Sequence, residues 1–446
     1  MIPPKPAARP DKVSLLRYWQ LFRKDILSAQ PARLYRAWMA EFRTPFFRSY
    51  LVNDPELVRL VLRSRPRDFP KSRRVTAGLV PLLGQSVFVT NGDVWEQQRH
   101  IIDPAFSGGR VRQSFPSMLE AAEAAAARIE PGEQNIEALA SYATADVIFR
   151  TLFSLPIDDE TAMGTYEAFR AFQREQPVAT LNALMPWLPV WHGKRARNAA
   201  RKLRSLIRGI VDRRLQEIAE GSAPDDLATK IMTTEDPETG RCFDGEEMVD
   251  QVAIFFLAGH ETSASLLGWA LWLLAASPEW GERVSQEASM FVAAPEFSNL
   301  ASMNATRSVL KETLRLYPPV PMFVREAAQS EDFRGRKVKP GAQVVISPWH
   351  LHRHKRFWDQ PDHFDPSRWE QADDDGPDRD VYQPFSSGPR ACPGAGFAMA
   401  EAAILLAFLM ARYQFEPAEP PVPVAHLTVR SRDGIRLLVS PRGILT

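Results

Sequence analysis

Cysteine is nearly absent from this chain: 446 residues contain only Cys242 and Cys392. That scarcity excludes a disulfide framework and fits a reducing compartment. Net charge is scarce too. A formal +1 leaves no broad basic face for nucleic acid. No run of about 20 apolar residues occurs, so the sequence predicts no membrane span. No signal-peptide pattern is present either, and the expectation is a cytoplasmic, bacterial-type protein. Linkers, repeats and long single-sign charge runs are also missing. The 37 prolines punctuate the chain throughout and do not gather into one hinge. With 45% hydrophobic and 24% charged residues, the composition is globular and supports a large core. One domain over residues 1–446 is expected, monomeric, with residues 1–12 as a flexible tail.

What is present is mostly helical periodicity. Long runs predict helices over 106–129, 136–153, 196–219, 245–276 and 300–316. Asp54-Pro55-Glu56 and Ser277-Pro278-Glu279 each open a further helix with a capping residue, proline at the first position and an acid in the first turn. Residues 338–346, split by Pro340-Gly341, read as a hairpin. A second strand pair is expected over 426–439, turning at Asp433-Gly434. The fold class is therefore mostly α with small β-sheets. Basic residues crowd Lys194 to Arg214, but Leu203, Leu206, Ile207, Ile210 and Leu215 recur among them at helical spacing. This is the solvated face of an amphipathic helix; contact with an anionic membrane surface is the other reading.

Chemistry concentrates around Cys392, in Phe385-Ser386-Ser387-Gly388-Pro389-Arg390-Ala391-Cys392-Pro393-Gly394. An apolar helical run over 398–408 follows. A thiolate here would sit at a helix N-terminus, where free N–H groups and the macrodipole favour negative charge. Such a sulfur suits an axial ligand of haem iron. Gly388 and Gly394 permit tight turns beside a flat macrocycle. Arg390 is placed to meet a haem propionate, and Phe385 to shield the sulfur. Pro393 cannot donate to the sulfur, so Gly394 and later amides must.

This ten-residue string resembles the haem-binding loop of the cytochrome P450 family, and three distant segments carry the same resemblance. Glu312-Thr313-Leu314-Arg315 and Arg368 look like that family's buried Glu–Arg–Arg network, critical for the fold. Ala258-Gly259-His260-Glu261-Thr262-Ser263 is similar to its distal helix. Gly259, at a cost of about 1 kcal/mol against Ala in a helix interior, and Thr262, bonding back one turn, would open a notch there. Thr262 and Glu261 resemble the acid–alcohol pair that steers protons to dioxygen, with Ala258 against the haem. Trp95 and Arg99 fit the propionate-binding helix, with His100 and Arg325 as further propionate candidates. The resemblance runs from about Phe47 to Arg442. It implies haem b with Cys392 as axial ligand.

The resemblance also implies a monooxygenase that inserts one atom of dioxygen into a C–H bond. Val87, Phe88, Ala258, Thr262, Val320, Met322, Phe323, Leu427 and Thr428 would line the pocket. Nearly all are apolar, so a hydrophobic substrate is expected. The stretch from Ile101 to Ser107 looks like the fatty-acid and alkane hydroxylating branches; a long aliphatic, terpenoid or steroid substrate follows. No reductase segment is recognised, so electrons are expected from a separate ferredoxin or flavodoxin with an NAD(P)H-dependent reductase. An acidic donor would dock near Arg99, Arg110 and Arg112. Two rivals stand beside this reading: a peroxide-using peroxygenase and a haem gas sensor without enzymatic activity. His350, His352 and His354 alternate as in a strand, but no acidic or cysteine partner is adjacent; a loop role is expected over zinc.

Overall fold

Capping chemistry decides where the longest helix begins. The Asp244 carboxylate accepts from the Glu247 backbone N–H at 2.8 Å, and Glu247 accepts from the Asp244 N–H at 2.9 Å, a reciprocal box that satisfies two otherwise orphaned donors. The helix then runs Gly245–Ala275. It is apolar almost all round, so it can only be stable in the interior. Around it pack the helices Ile136–Phe153, Lys194–Glu220, Asn304–Leu316 and Ala395–Arg412. The computed structural model describes residues 1–43, 48–175, 193–370 and 379–443; Phe47, where the family resemblance starts, lies outside them.

The helix expected over 106–129 is broken. A 3-10 turn at Asp103–Phe106 gives way to Gly108–Gln113, then to Phe115–Ala127. Pro116 has no N–H to continue the ladder, and the Ser114 hydroxyl donates to the Arg110 carbonyl at the break, at 3.1 Å.

Both expected hairpins are differently paired. Arg336–Val338 pairs with Glu331–Phe333, while Gln343–Ile346 pairs with Phe323–Glu326 and, in parallel, with Arg48–Val52. The tight turn between them, with Gly341 at φ 79°, carries the chain from one sheet to another. Met39–Arg43 completes the four-stranded sheet. Near the C-terminus Pro423–Ala425 pairs with Val429–Ser431. Arg436–Pro441 instead joins Gly132–Asn135 and Tyr413–Pro417, so Asp433-Gly434 links two sheets. Local turn signals mark where a strand stops; they do not choose its partner.

The first residues, expected as a free tail, are docked. The Tyr317 hydroxyl donates to the Pro4 carbonyl at 2.7 Å, the Phe364 N–H to the Met1 carbonyl at 2.9 Å and Arg9 Nε to the Ala29 carbonyl at 2.6 Å; Lys5 pairs with Asp362. A proline-rich segment has little backbone entropy to lose on docking. Among the described residues one helix, Ala395–Arg412, is long and apolar enough to cross a membrane by length and composition, contrary to the sequence expectation, and 61% of it is buried within the protein. The basic helix Lys194–Glu220 spends part of its charge internally, on Arg204–Asp250 and Arg214–Asp226.

Tyr317→Phe removes the hydroxyl that holds Pro4 and keeps the ring stacked on Trp269. Its expected cost is about 1 kcal/mol of unfolding free energy, read by urea denaturation.

Candidate active site: the Cys392 loop and the long helix

The cysteine loop is a series of forced turns. Ser386 and Gly388 both have positive φ, 61° and 72°. A Cβ at Gly388 would lie 2.1 Å from the Leu62 carbonyl oxygen, so only glycine fits. The Cys392 N–H closes the loop on the Phe385 carbonyl at 2.9 Å. Phe385 itself is half-buried. Cys392 is accessible at its surface, yet its surroundings are dense enough that burial pushes the thiol pKa up; the Gly394 N–H and the Arg99 charge act in the opposite direction. Burial thus opposes the backbone donor at the helix N-terminus, and a coordinated metal would favour the thiolate, because metal binding deprotonates a thiol outright.

Glu312 anchors the loop from behind. It is fully buried, and its carboxylate takes five N–H groups. Arg315 gives two at 2.8 Å, Arg368 Nε one at 3.2 Å, Trp369 Nε1 one at 3.0 Å and the Asp365 backbone one at 2.9 Å. Arg315 spends its remaining donors on the carbonyls of His352, Pro361 and His363. The ring of His352 accepts the Gln383 N–H at 2.7 Å, two residues before Phe385. The three arginine and glutamate positions expected to meet do meet, and the chain of bonds reaches the cysteine loop.

His350, His352 and His354 are all buried, on a short helix Pro348–Leu351 and the turn after it. They answer to separate partners: Ser347, the Gln383 N–H and the Ala37 carbonyl. The strand-like alternation in sequence is thus part of a helical turn in the structure.

A knot of cations surrounds Trp95. Arg390, Lys71 and Arg99 lie 5.0, 5.6 and 5.9 Å from its ring centre. Arg99 donates to the Ala391 carbonyl at 2.8 Å and pairs with Asp103. Arg390 donates to the Pro66 and Phe69 carbonyls. Arg325 is buried, with no carboxylate among the described residues at ion-pair distance; burial and the Arg390 charge push its pKa down to about 10. Lys71 donates to the carbonyls of Val87 and Thr90. Burial, then Arg325, Arg390 and Arg99, push it down to about 6. Sequence reasoning missed Lys71, and no local signal marks it; it comes in through an antiparallel bridge to Arg325. His100 does not join the knot as expected. Its Nδ1 is committed to Asp236 at 2.9 Å.

On the long helix, burial is the rule and exposure the exception. Phe255, Ala258, Gly259 and Thr262 retain accessible surface while Phe256, Leu257, His260, Glu261 and Ser263 are buried. That is one helical face, spaced i, i+3, i+4, i+7. Phe106 ties this face to the cysteine side, edge-on to Phe255 at 5.9 Å and to Phe397 at 6.4 Å. Gly259 does not widen the notch as expected: a Cβ there would meet Ile148 Cδ1 at 2.5 Å, so the glycine admits the neighbouring helix. The Thr262 hydroxyl donates to the Ala258 carbonyl. Glu261 points elsewhere. Its carboxylate takes Arg430 and Gln173, and the Thr428 hydroxyl at 3.4 Å. Burial raises its pKa, while Arg430, Thr428 and Gln173 pull it back. The expected acid is thus bound to the C-terminal hairpin and not offered free beside Thr262.

Of the expected pocket residues, Val87, Val320, Met322, Phe323 and Leu427 are half-buried, Phe88 is exposed and Thr428 is buried. The Val87 N–H is fixed by Gln251 at 2.9 Å.

Comparison with known proteins agrees with this geometry. The cytochrome P450 family profile matches residues 39–439. The chain belongs to the cytochrome P450 family. It is 33% identical over 385 residues to cyclooctat-9-en-7-ol 5-monooxygenase of Streptomyces melanosporofaciens, covering 85% of this chain and 83% of that one. It is 27% identical to cytokinin hydroxylase of Arabidopsis thaliana (87% and 78% covered) and 28% identical to taurochenodeoxycholic 6 alpha-hydroxylase of Sus scrofa (87% and 81%). The fold, mostly helical with small sheets, is that of the family, and this cytochrome P450 is an oxidoreductase of its monooxygenase and hydroxylase class.

The family's cofactor is haem held through a cysteine, and the residues present fit it. Cys392 offers an accessible sulfur with a backbone donor. The uncompensated positive charge of Arg325, beside Arg390, Lys71 and Arg99, suits the two propionates. Glu312→Gln removes the buried charge to which Arg315 and Arg368 answer, and the expected loss is about 3–5 kcal/mol of unfolding free energy, measured in urea. Arg325→Gln should act with opposite signs. It relieves a buried, repelled cation, so the haem-free protein gains stability, while haem is released faster to apomyoglobin.

Proposed function

We propose that this cytochrome P450 hydroxylates an unactivated C–H bond of a hydrophobic carbocyclic molecule of terpenoid or steroid type. The observation that carries the reading is the accessible face Phe255–Ala258–Gly259–Thr262 on an otherwise buried helix, tied through Phe106 to the helix that follows Cys392. Among similar proteins, two names specify cyclooctat-9-en-7-ol and a taurochenodeoxycholic substrate. Apolar walls at Val87, Val320, Met322 and Leu427 would hold such a skeleton by area and exclude water.

The haem, when bound, supplies the activation of dioxygen and the transfer of one oxygen atom. The chain's own residues do the rest. Cys392 holds the cofactor, with the Gly394 N–H tuning the charge on sulfur. Arg325, Arg390, Lys71 and Trp95 orient the ring. The Thr262 hydroxyl, parked on the Ala258 carbonyl, is the exchangeable proton on the accessible face. Phe385 keeps water from the sulfur.

Electrons come singly from a separate ferredoxin or flavodoxin with its NAD(P)H-dependent reductase, in the cytoplasm, to a monomeric enzyme. Of the expected docking cations, Arg99 is committed internally, Arg110 pairs with Asp225, and Arg112 lies over the Phe297 ring. The docking face therefore centres on Arg112, the exposed member of the three. Use of peroxide alone is the second reading, kept because Glu261 is engaged by Arg430.

Titrating the ferric protein with cyclooctat-9-en-7-ol, progesterone and dodecanoic acid discriminates substrate classes. The ring compounds should shift the spin state; a response to dodecanoic acid alone contradicts the proposal. Thr262→Ala should retain that shift while product per NAD(P)H falls roughly 10²-fold. Unchanged product yield, or full turnover with peroxide alone in both proteins, favours the peroxide reading.

A further inference from the structure

A charged cavity away from the cysteine loop has no task in the reading above. It lies between the docked N-terminal segment and the turn after the helix Pro348–Leu351. Its volume is about 270 Å³, and Lys5, Tyr35, Arg353, Lys355 and Asp362 line it. Arg353 is only 2% exposed, with its guanidinium carbon 3.9 Å from the centre of the Trp349 ring. Its Nη1 has no hydrogen-bond partner among the described residues. A buried donor left unmade is destabilising, and native interiors rarely carry one without cause. Burial pushes the Arg353 pKa down to about 10, with Tyr35 and Tyr317 opposing, so the charge persists at neutral pH. The Tyr35 hydroxyl accepts the Trp349 indole N–H at 2.9 Å and gives its own hydrogen to nothing among the described residues. The Lys355 side chain is exposed and equally uncommitted among them. One acceptor lines the same space. Asp362 Oδ1 has no hydrogen-bond partner and stands 3.7 Å from Arg353 Nε, while Oδ2 takes Lys5. A second cavity of about 340 Å³ shares Tyr35 and Lys355 with the first and adds Arg33 and Arg36. Arg33 Nε also lacks a hydrogen-bond partner, with Asp11 at 3.8 Å.

We propose that this cavity binds a phosphate group with a hydroxyl to donate, either free hydrogen phosphate or the phosphate of a small phosphorylated alcohol. The donors left over are those an oxyanion needs: Arg353 Nη1, the Tyr35 hydroxyl and the Lys355 ammonium, with Lys5 beside them. The acceptor left over says which oxyanion. A carboxylate repels an anion that has no hydrogen to give and accepts from one that has. Phosphate keeps a hydrogen at neutral pH and sulfate keeps none, so Asp362 selects between two ions of the same shape. A single bridging water, with a share of about 30 Å³ in the liquid, would leave most of the cavity unfilled. The adjoining space at Arg33 and Arg36 has room for the alcohol part of an ester. Position gives binding a structural consequence. Lys5 belongs to the N-terminal segment, while Arg353 and Asp362 directly follow His352 and Pro361, whose carbonyls Arg315 holds. The ligand therefore ties the first residues to the segment that braces the cysteine loop. None of the lining residues belongs to that loop or to the accessible helix face, so the inference stands independently of the hydroxylase reading.

Calorimetry on the haem-loaded full chain tests the site with sodium phosphate, glycerol 3-phosphate and sodium sulfate, at an ionic strength held constant with chloride. Phosphate should bind, and sulfate at least about tenfold more weakly, because a site built around a donated hydroxyl rejects an analogue without one. Asp362→Asn should bring sulfate to within about threefold of phosphate, since the amide can donate where the carboxylate only accepts. Glycerol 3-phosphate binding more tightly than phosphate assigns the source to a phosphorylated alcohol; equal or weaker binding assigns it to free phosphate. Heat from neither phosphate compound at millimolar concentration overturns the proposal, as does equal binding of phosphate and sulfate by the wild type. Hydrogen exchange reads the location. Phosphate should slow the amides of Arg9, Lys355 and Phe364, which fix the cavity walls through the Gln30, Tyr35 and Met1 carbonyls. Protection confined to other segments overturns the assignment. Arg353→Gln should abolish phosphate binding. If that variant does not fold, the exposed change Lys355→Ala decides: affinity lower by at least about fivefold supports the site, and unchanged affinity overturns it.

Discussion

The buried carboxylate of Glu312 is the interaction on which the rest of the molecule depends. A lone ion in that position would be prohibitively unstable, and five N–H groups make it tolerable. Those donors come from two separate stretches, the helix Asn304–Leu316 and the segment from Asp365 through the turn Pro366–Trp369. Arg315 extends the same logic to three more carbonyls and, through the His352 segment, to the strand of chain entering the cysteine loop. Removing any member leaves a buried charge unanswered, so the network behaves as one unit. Its function is geometric. A loop with left-handed residues at Ser386 and Gly388 has no reason to hold one shape unless something outside it does.

Uncompensated charge is informative elsewhere as well. Around Trp95 gather Arg99, Arg390 and a lysine, Lys71, whose pKa is pushed down to about 6, with Arg325 beside them; among the described residues one carboxylate, Asp103, pairs with the group. Behind the long helix the reverse occurs, a carboxyl with no cation. Self-sufficient interiors do not carry such imbalances. The first suits an anionic cofactor edge. Glu261 and Glu401 lie on neighbouring helices, and burial raises the pKa of both; Arg430 opposes that at Glu261, while only Ser263 does so at Glu401.

Much of this was legible in the sequence. The long helix with its boundaries and the Glu312–Arg315 pair were readable because each depends on residues near one another in the chain, caps and i, i+3 pairs; the role of the Cys392 loop and the addition of Arg368, 56 residues from Glu312, came from the family resemblance. What could not be read depends on partners far away. Glu261 precedes Thr262 by one residue, but one residue on a helix is a turn of about 100°, and the arginine that captures it lies 169 positions on. Lys71 enters the cation knot through a bridge to Arg325 that no local pattern announces. The two misassigned hairpins had correct strand segments and wrong partners. The docked N-terminus was read as a tail because its proline content signals a lack of helix and says nothing of what it lies against.

The account stands on the sulfur of Cys392 being the ligand of a haem iron. The reduced protein under carbon monoxide tests this directly. A Soret band displaced to the long wavelength of a thiolate-ligated haem, absent in Cys392→His, is the predicted result. A band at the position of a histidine-ligated globin, or a purified chain that carries no haem, would contradict it.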